Sequence, residues 1–326
     1  MSTNVHDPIQ IGSLTLRNRI IMAPMQQNQG TTEAYATDYH VKHYAARAED
    51  VSLVIIESTG VSPNGRLFPD DIGIFTDRHV DPLRRIVNAV HQKGTPVFIQ
   101  LTHGGRKSWP SLTNKLMGPS AIAYDDEYGI PLAMSLDDIR TEIERYRLAA
   151  RRSLEAGFDG IELHAAHGHL LHQFLSPLSN MREDHYGGSL ENRLRLIIEV
   201  LEAIRAEVGS EYPVQLRVSA SDFAEGGLTP VEVATALTYL ESKIDAVHVS
   251  SGGLVPNAPL ATPEGYQLPY ASVIKQYVNV PVIAVGNIRT QAFANFILAD
   301  QLADVIAVGR PLMEDTRFVE KMLVHS

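Results

Sequence analysis

The sequence contains no cysteine, which excludes disulfide bridges, thiolate nucleophiles and cysteine-ligated metals. It also lacks an excess of positive charge: 28 Lys and Arg stand against 38 Asp and Glu, a formal net charge of −10. That balance argues against a nucleic-acid surface, which needs a basic footprint. No apolar run approaches the ~20 residues of a membrane span, and the N-terminal MSTNVHDPIQ has no signal-peptide core. Internal repeats and low-complexity tracts are missing too. What remains is a chain of 326 residues, 44% hydrophobic and 20% charged, a composition that supports a large buried core. The expectation is a soluble, cytoplasmic protein with one domain over residues 1–326.

Eight short apolar runs punctuate the chain: Ile20–Ala23, Leu53–Ile56, Val97–Leu101, Ile161–His164, Val214–Val218, Val247–Ser250, Val282–Val285 and Val305–Val308. Apolar residues at successive positions read as parallel strands buried on both faces. Helical patterns lie between them. Asp81-Pro82 reads as N-cap and N1 of a helix closed by Gly94, and Thr229-Pro230-Val231-Glu232 as a capping box with Pro at N1. Ser135 and Ser189 cap two longer helices that end at Gly157 and Gly209. Eight strands alternating with helices predict an α/β fold, a (β/α)₈ TIM barrel. The rival open sheet usually carries G-x-G-x-x-G after its first strand, whereas this strand ends Ala23-Pro24-Met25. Ile9 to Leu16 alternate around Gly12-Ser13 like a hairpin, which would plug the barrel floor.

Barrel enzymes place their chemistry at the C-terminal strand ends. Here those ends are polar. The third strand runs into Gln100-Leu101-Thr102-His103 and a connection of about thirty residues, long enough for a functional lid. The fourth ends His164-Ala165-Ala166-His167-Gly168-His169, followed by a second long loop. The seventh and eighth end Gly286-Asn287 and Gly309-Arg310, where barrels often hold phosphate. Glycine lets backbone N–H groups approach phosphate oxygens, and Arg310 adds a charged fork. One such glycine would merely end a strand; two of them, with an arginine, favour phosphate. Arg217 sits mid-strand, where a guanidinium is costly unless it faces an anion. That anion is either a ligand or a structural partner, Glu57 or Glu162. The three histidines suit a metal, proton handling or an ordinary loop. No H-x-H pair marks the first strand, so no metal is expected, and Gly286-Asn287 offers no carboxylate for a retaining glycosidase.

The ordered set Leu16-Arg17-Asn18-Arg19-Ile20, Ala23-Pro24-Met25, Gln100-Leu101-x-His103-x-Gly105-Arg106-Lys107 and Gly118-Pro119-Ser120-Ala121 continues through the histidine block. It runs on into Phe174-Leu175-Ser176-Pro177, Tyr186-Gly187-Gly188-Ser189-x-Glu191-Asn192-Arg193, Arg217-Val218-Ser219-Ala220 and Gly309-Arg310. On these motifs the chain resembles the Old Yellow Enzyme family of FMN-dependent NAD(P)H oxidoreductases, in its bacterial shorter-chain ene-reductase branch. The resemblance implies FMN as cofactor and NADPH or NADH as hydride donor, with hydride passing through flavin N5 to an activated alkene. It implies that Ala23, Pro24, Met25, Gln26 and Ser58 line the flavin and that Gln100 bonds its pyrimidine edge. Arg217 would face N1–O2, and Gly286, Asn287, Gly309 and Arg310 would hold the phosphate. His164 and His167 would donate to a substrate carbonyl or nitro oxygen as an oxyanion-type clamp.

Departures from the family pattern fall at Gln26, usually a small Cys or Thr, and at substrate-binding Asn28, commonly Tyr. His169 stands where the proton-donating Tyr usually does. A histidine donor, with a reference pKa of ~6.5 against ~10 for tyrosine, would slow the proton step as pH rises through neutrality. The chain ends at Ser326, without the tail by which some relatives reach into a partner's site, and the resemblance leaves a homo-oligomer open. Three functions compete: an ene-reductase, a flavin-dependent NAD(P)H oxidase or dienoyl reductase of the same fold, and a weakly catalytic flavin-binding redox protein.

Overall fold

All eight predicted parallel strands form, and they close on one another. The structure, a computed structural model, describes residues 2–113, 115–256 and 262–324. In chain order its strands are β1 (Ile9–Ile11), β2 (Leu14–Leu16), β3 (Ile20–Met22), β4 (Val54–Gly60), β5 (Val97–Thr102) and β6 (Met117–Gly118). Then come β7 (Leu132–Ala133), β8 (Gly160–Ala165), β9 (Val214–Ser219), β10 (Ala246–Ser250), β11 (Val282–Val285) and β12 (Val305–Val308). The helices are α1 (Asp38–Ala45), α2 (Val80–His91), α3 (Leu136–Ala156), α4 (Leu170–Leu175) and α5 (Leu190–Val208). They continue with α6 (Pro230–Thr238), α7 (Leu268–Lys275), α8 (Gln291–Ala299), α9 (Arg310–Glu314) and α10 (Phe318–Val324). Strands β3, β4, β5, β8, β9, β10, β11 and β12 make one closed barrel in that order, with parallel neighbours throughout. This is the predicted (β/α)₈ barrel.

Strand alternation sorts the apolar residues into two cores. Ile20, Met22, Val54, Ile56, Ile161 and Leu163 pack in one cluster with helix residues such as Leu83, Ile139 and Leu201. Ile21, Ile55, Phe98, Ala246, Ile283 and Val305 form a separate cluster inside the barrel with Ile11 and Leu16. The latter two belong to the predicted hairpin, β1 pairing antiparallel with β2 from Ile9↔Leu16 to Ile11↔Leu14. Both are fully buried, worth roughly 1.5–3 kcal/mol each, so the hairpin closes one end of the barrel.

Helix ends follow their cap chemistry, with two corrections. The Ser135 side chain accepts from Asp138 N–H and Asp138 reaches back, while Gly157 ends α3 at φ +92°. Ser189 accepts from Asn192 N–H and Gly209 follows α5. Helix α2 starts at Val80 instead of after Asp81, because a 3₁₀ turn at Asp77–His79 precedes it and Thr76 begins that turn. Pro82 therefore sits in the first helical turn, where its missing N–H costs nothing. The helix stops at His91, before Gly94. Thr229 caps α6 as expected, but Glu232 makes no capping box: its carboxylate instead takes the Arg193 guanidinium.

Two loops read as irregular carry structure. The one after β5 contains β6 and β7, paired in parallel, and the one after β8 contains α4. Strand β4 runs four residues past the predicted Ile56, since Glu57, Ser58 and Thr59 are polar and break the apolar pattern. No described helix is long and apolar enough to cross a membrane.

Candidate active site

Above the apolar floor, the barrel interior turns polar. Gln100 on β5, Glu162 on β8 and Gln215 on β9 lie opposite one another. Glu162 is fully buried and both its oxygens are engaged. Oε1 accepts from Gln100 Nε2 at 2.7 Å, and Oε2 accepts from Gln215 Nε2 at 2.6 Å and meets His248 Nδ1 at 2.8 Å. Two residues further along the strands, His164 pairs with Arg217 and Arg217 with His248. The Arg217 Nε is buried and has no hydrogen-bond partner among the described residues. Burial pushes this guanidinium down, while Glu162 nearby favours its charge.

Arg217 opens onto a cavity of about 220 Å³ at the C-terminal ends of the strands. The cavity brings together Ala23, Met25, His167, Arg217, Gly286, Asn287, Gly309 and Arg310. Three further lining residues, Ser250, Tyr266 and Gln267, have no assigned role in the sequence reading. Ser250 carried a signal as the polar end of the sixth run; Tyr266 and Gln267 had none, being remote in sequence from any strand end. Gly286 is at φ +137°, and a Cβ there would lie 3.2 Å from the Tyr266 ring. A Cβ at Gly309 would come 3.0 Å from the Met25 sulfur. Side chains at either position would fill the cradle between β11 and β12. Glycine there keeps the backbone open to a ligand.

The histidines cluster at the same rim. The rings of His164 and His167 are 5.1 Å apart, and those of His164 and His169 4.5 Å, both edge to face. His164 Nδ1 accepts from Ala166 N–H at 3.3 Å, which leaves the ring proton on Nε2. That Nε2 lies 3.4 Å from His167 Nδ1, and His167 Nε2 lies 2.6 Å from Ser250 Oγ. Burial pushes all three imidazoles well below their ordinary range. The next causes are His169 for His164, Arg217 for His167, and Lys107 for His169. They are neutral at pH 7. This works against the expectation that His169 titrates through neutrality: its buried ring, near the cations Lys107 and Arg217, resists a further proton.

The remaining expected site residues lie around this core and outside the cavity lining. Gln26 donates from Nε2 to Asp71 Oδ1 and keeps a buried, unpartnered Oε1. Asp71, which also accepts from Leu67 and Phe68 N–H, is pushed up to about 7 by burial. Pro24 is buried, Ser58 has an unpartnered buried hydroxyl, and Asn28 is exposed at φ +53°.

A guanidinium inside the barrel, its Nε without a partner among the described residues, and a glycine cradle with Arg310 on its rim fit the ring system and the phosphate of flavin mononucleotide. The fold and site define a TIM-barrel flavin oxidoreductase. The chain belongs to the NADH:flavin oxidoreductase / NADH oxidase family, that of Old Yellow Enzyme, whose model matches residues 4–325. It is 41% identical over 317 residues to the NADPH dehydrogenase of Clostridium acetobutylicum, covering 97% of this chain and 93% of the relative. The Bacillus subtilis NADPH dehydrogenase is 38% identical, with 98% and 94% covered. Among solved structures, morphinone reductase in complex with tetrahydroNAD aligns at TM-score 0.85 and 30% identity, over 99% of this chain and 91% of that one. A 2-naphthoyl-CoA reductase complex aligns at TM-score 0.94 and 26% identity over 98% of this chain, which spans only 52% of that longer polypeptide. The protein is thus an FMN-dependent oxidoreductase with a nicotinamide donor.

Proposed function

We propose that residues 1–326 form a single FMN-binding domain that reduces activated alkenes, α,β-unsaturated carbonyl or nitro compounds, at the expense of NADPH or NADH. The carrying observation is the juxtaposition at one rim of the neutral His164–His167 pair and Arg217, whose Nε has no partner among the described residues. FMN, when bound, supplies hydride transfer from the nicotinamide to the β-carbon of the alkene. The protein's part is binding and polarisation.

Arg217 would face the ring system and favour negative charge on it, and Gln100, its amide nitrogen held by Glu162, would offer its oxygen to the pyrimidine edge. Ala23, Pro24, Met25, Gln26 and Ser58 line the ring. Gly286, Asn287, Gly309 and Arg310 hold the phosphate. His164, with its proton fixed on Nε2, donates to the substrate oxygen, where enolate charge develops. His167 joins it by turning an N–H from Ser250 to the substrate, and Asn28 borders the substrate from the exposed loop after β3. His169 or water returns the proton to the α-carbon. Dependence on a nicotinamide supports a cytoplasmic location.

The test is anaerobic. Purified yellow protein is mixed with NADPH or NADH, bleaching is followed, and cyclohexenone is added with product analysis. Bleaching followed by cyclohexanone formation is expected. Bleaching without product from any activated alkene would refute the proposal in favour of an oxidase. A second reading, reduction of a conjugated acyl thioester, draws on the 0.94 alignment with 2-naphthoyl-CoA reductase and is tested by adding an enoyl thioester to the same panel.

A further inference from the structure

The turn that carries His167 is held with unusual completeness. His167 is a non-glycine residue at φ +56°, followed by Gly168 at φ +74°, a conformation the surroundings must enforce. Each backbone group of these two residues is bonded by a side chain from elsewhere. His167 N–H donates to Ser219 Oγ at 2.9 Å, and the His167 carbonyl accepts from Lys107 Nζ at 2.9 Å. Gly168 N–H donates to His172 Nδ1 at 2.9 Å, and its carbonyl accepts from Gln173 Nε2 at 2.7 Å.

Two of these groups also reach the loop after β10. Ser219 Oγ donates to the Gly252 carbonyl at 2.8 Å, and Lys107 Nζ donates to the Gly253 carbonyl at 2.9 Å. The two loops touch backbone to backbone: a Cβ on Gly253 would lie 2.5 Å from His167 Cα, and one on Gly168 2.1 Å from the Gly253 oxygen. The Lys107 ammonium sits 4.4 Å over the Tyr124 ring. With two carbonyls and an aromatic face around it, its donors are spent within the protein, and it makes no salt bridge among the described residues.

We propose that Lys107 is a positioning residue for the substrate clamp: by bridging the His167 and Gly253 carbonyls, it holds His167 in its left-handed turn and so fixes where that imidazole faces the cavity. This rests on the clamp role given to His167 above. The bridge is charge-assisted, and the charge is vulnerable to alkali: burial, then Arg106, pushes the ammonium down to about 8, with Asp125 opposing. The other groups facing it leave that range clear. His167 and His169 are already neutral, and burial raises Tyr124 above its ordinary value of 10.

The test uses the FMN-loaded protein and Lys107→Met. The variant should raise KM for cyclohexenone tenfold or more while FMN affinity stays within twofold. In wild type, KM should climb reversibly above pH ~8 towards the variant's value, whereas the variant should stay flat from pH 7 to 9.5. The ring ¹⁵N resonances of His167 should shift from a single tautomer towards an averaged one in Lys107→Met, and in wild type above pH ~8. If KM and those resonances are unchanged in the variant, the proposal is wrong. Should the variant not fold, a flat wild-type titration of both readouts overturns it equally. Should wild type not reduce cyclohexenone at all, the functional reading fails and the imidazole signal alone decides the positioning role.

Discussion

Glu162 and Arg217 are buried on adjacent strands, yet they form no salt bridge. The carboxylate is taken up by Gln100, Gln215 and His248, and the Arg217 Nε is left unpartnered. Of the two anions the sequence offered for Arg217, a structural glutamate or a ligand, this geometry favours the ligand. A desolvated cation is costly to fold, and on the proposed function FMN would relieve that cost.

Replacing that cation should therefore separate stability from binding. Arg217→Leu should leave the FMN-free protein at least as stable as wild type, while weakening FMN binding by one to two decades, the ~1.5–3 kcal/mol of a charge-assisted hydrogen bond. Flavin fluorescence titration and thermal unfolding of the flavin-free proteins measure the two halves. A sharp loss of flavin-free stability would instead point to a structural ion pair.

Arg310 is exposed at the start of α9, beside the Gly309 cradle. Arg310→Ala should weaken FMN retention by roughly one to two decades while leaving the spectrum of bound flavin unchanged, because the contact proposed for it is to phosphate. Unaltered affinity in the same titration would remove Arg310 from the site.

Gly286 combines a backbone at φ +137° with close approach to the Tyr266 ring. Gly286→Ala should cost about 1–3 kcal/mol of stability and reduce FMN affinity. Urea unfolding with and without FMN checks both, and a variant with wild-type stability and affinity would show that the backbone there is not constrained.

The neutral histidines make the protein acid-sensitive. As pH falls through ~6.5, the unfolded chain takes up protons on His164, His167 and His169, whereas the native state, where burial pushes these rings well down, does not. Stability is present above that pH and lost below it, by about 1.4 kcal/mol per pH unit for each ring. His43, His79, His103 and His248 are pushed down by burial in the same way and add to the loss. Asp71, raised to about 7, opposes it by one proton. Urea unfolding between pH 7.5 and 5 should show the decline, and His169→Asn should make it shallower. Stability that holds level across this interval would contradict the burial of these rings as neutral groups.

The same burial changes what His169 can show in turnover. With its ring neutral throughout, wild type and His169→Tyr should show the same flat pH dependence of alkene reduction between pH 6.5 and 7.5, measured by stopped flow. A loss in wild type alone within that window would restore the histidine as a titrating donor.

The barrel was legible in the sequence because parallel strands are buried on both faces and leave runs such as Val305–Val308 that need no partner to be recognised. Ser135 and Ser189 were legible as caps because capping is local, settled within one helical turn. Glu232 was not: its pattern promised a capping box, and a distant Arg193 claimed the carboxylate. The cradle glycines and Arg217 stood out through their places on strands. Tyr266 and Gln267 did not, since only the folding of the chain after β10 brings them to the cavity.

By itself, then, the sequence determined the eight barrel strands, their order, and which strand ends carry polar chemistry, because periodicity and end signals act over a few residues. The tertiary structure alone decided which charges are paired, which imidazoles stay neutral, and that Lys107 and Gly253 meet at His167. Those outcomes depend on desolvation and on distances between residues as much as 146 positions apart, which no local pattern encodes.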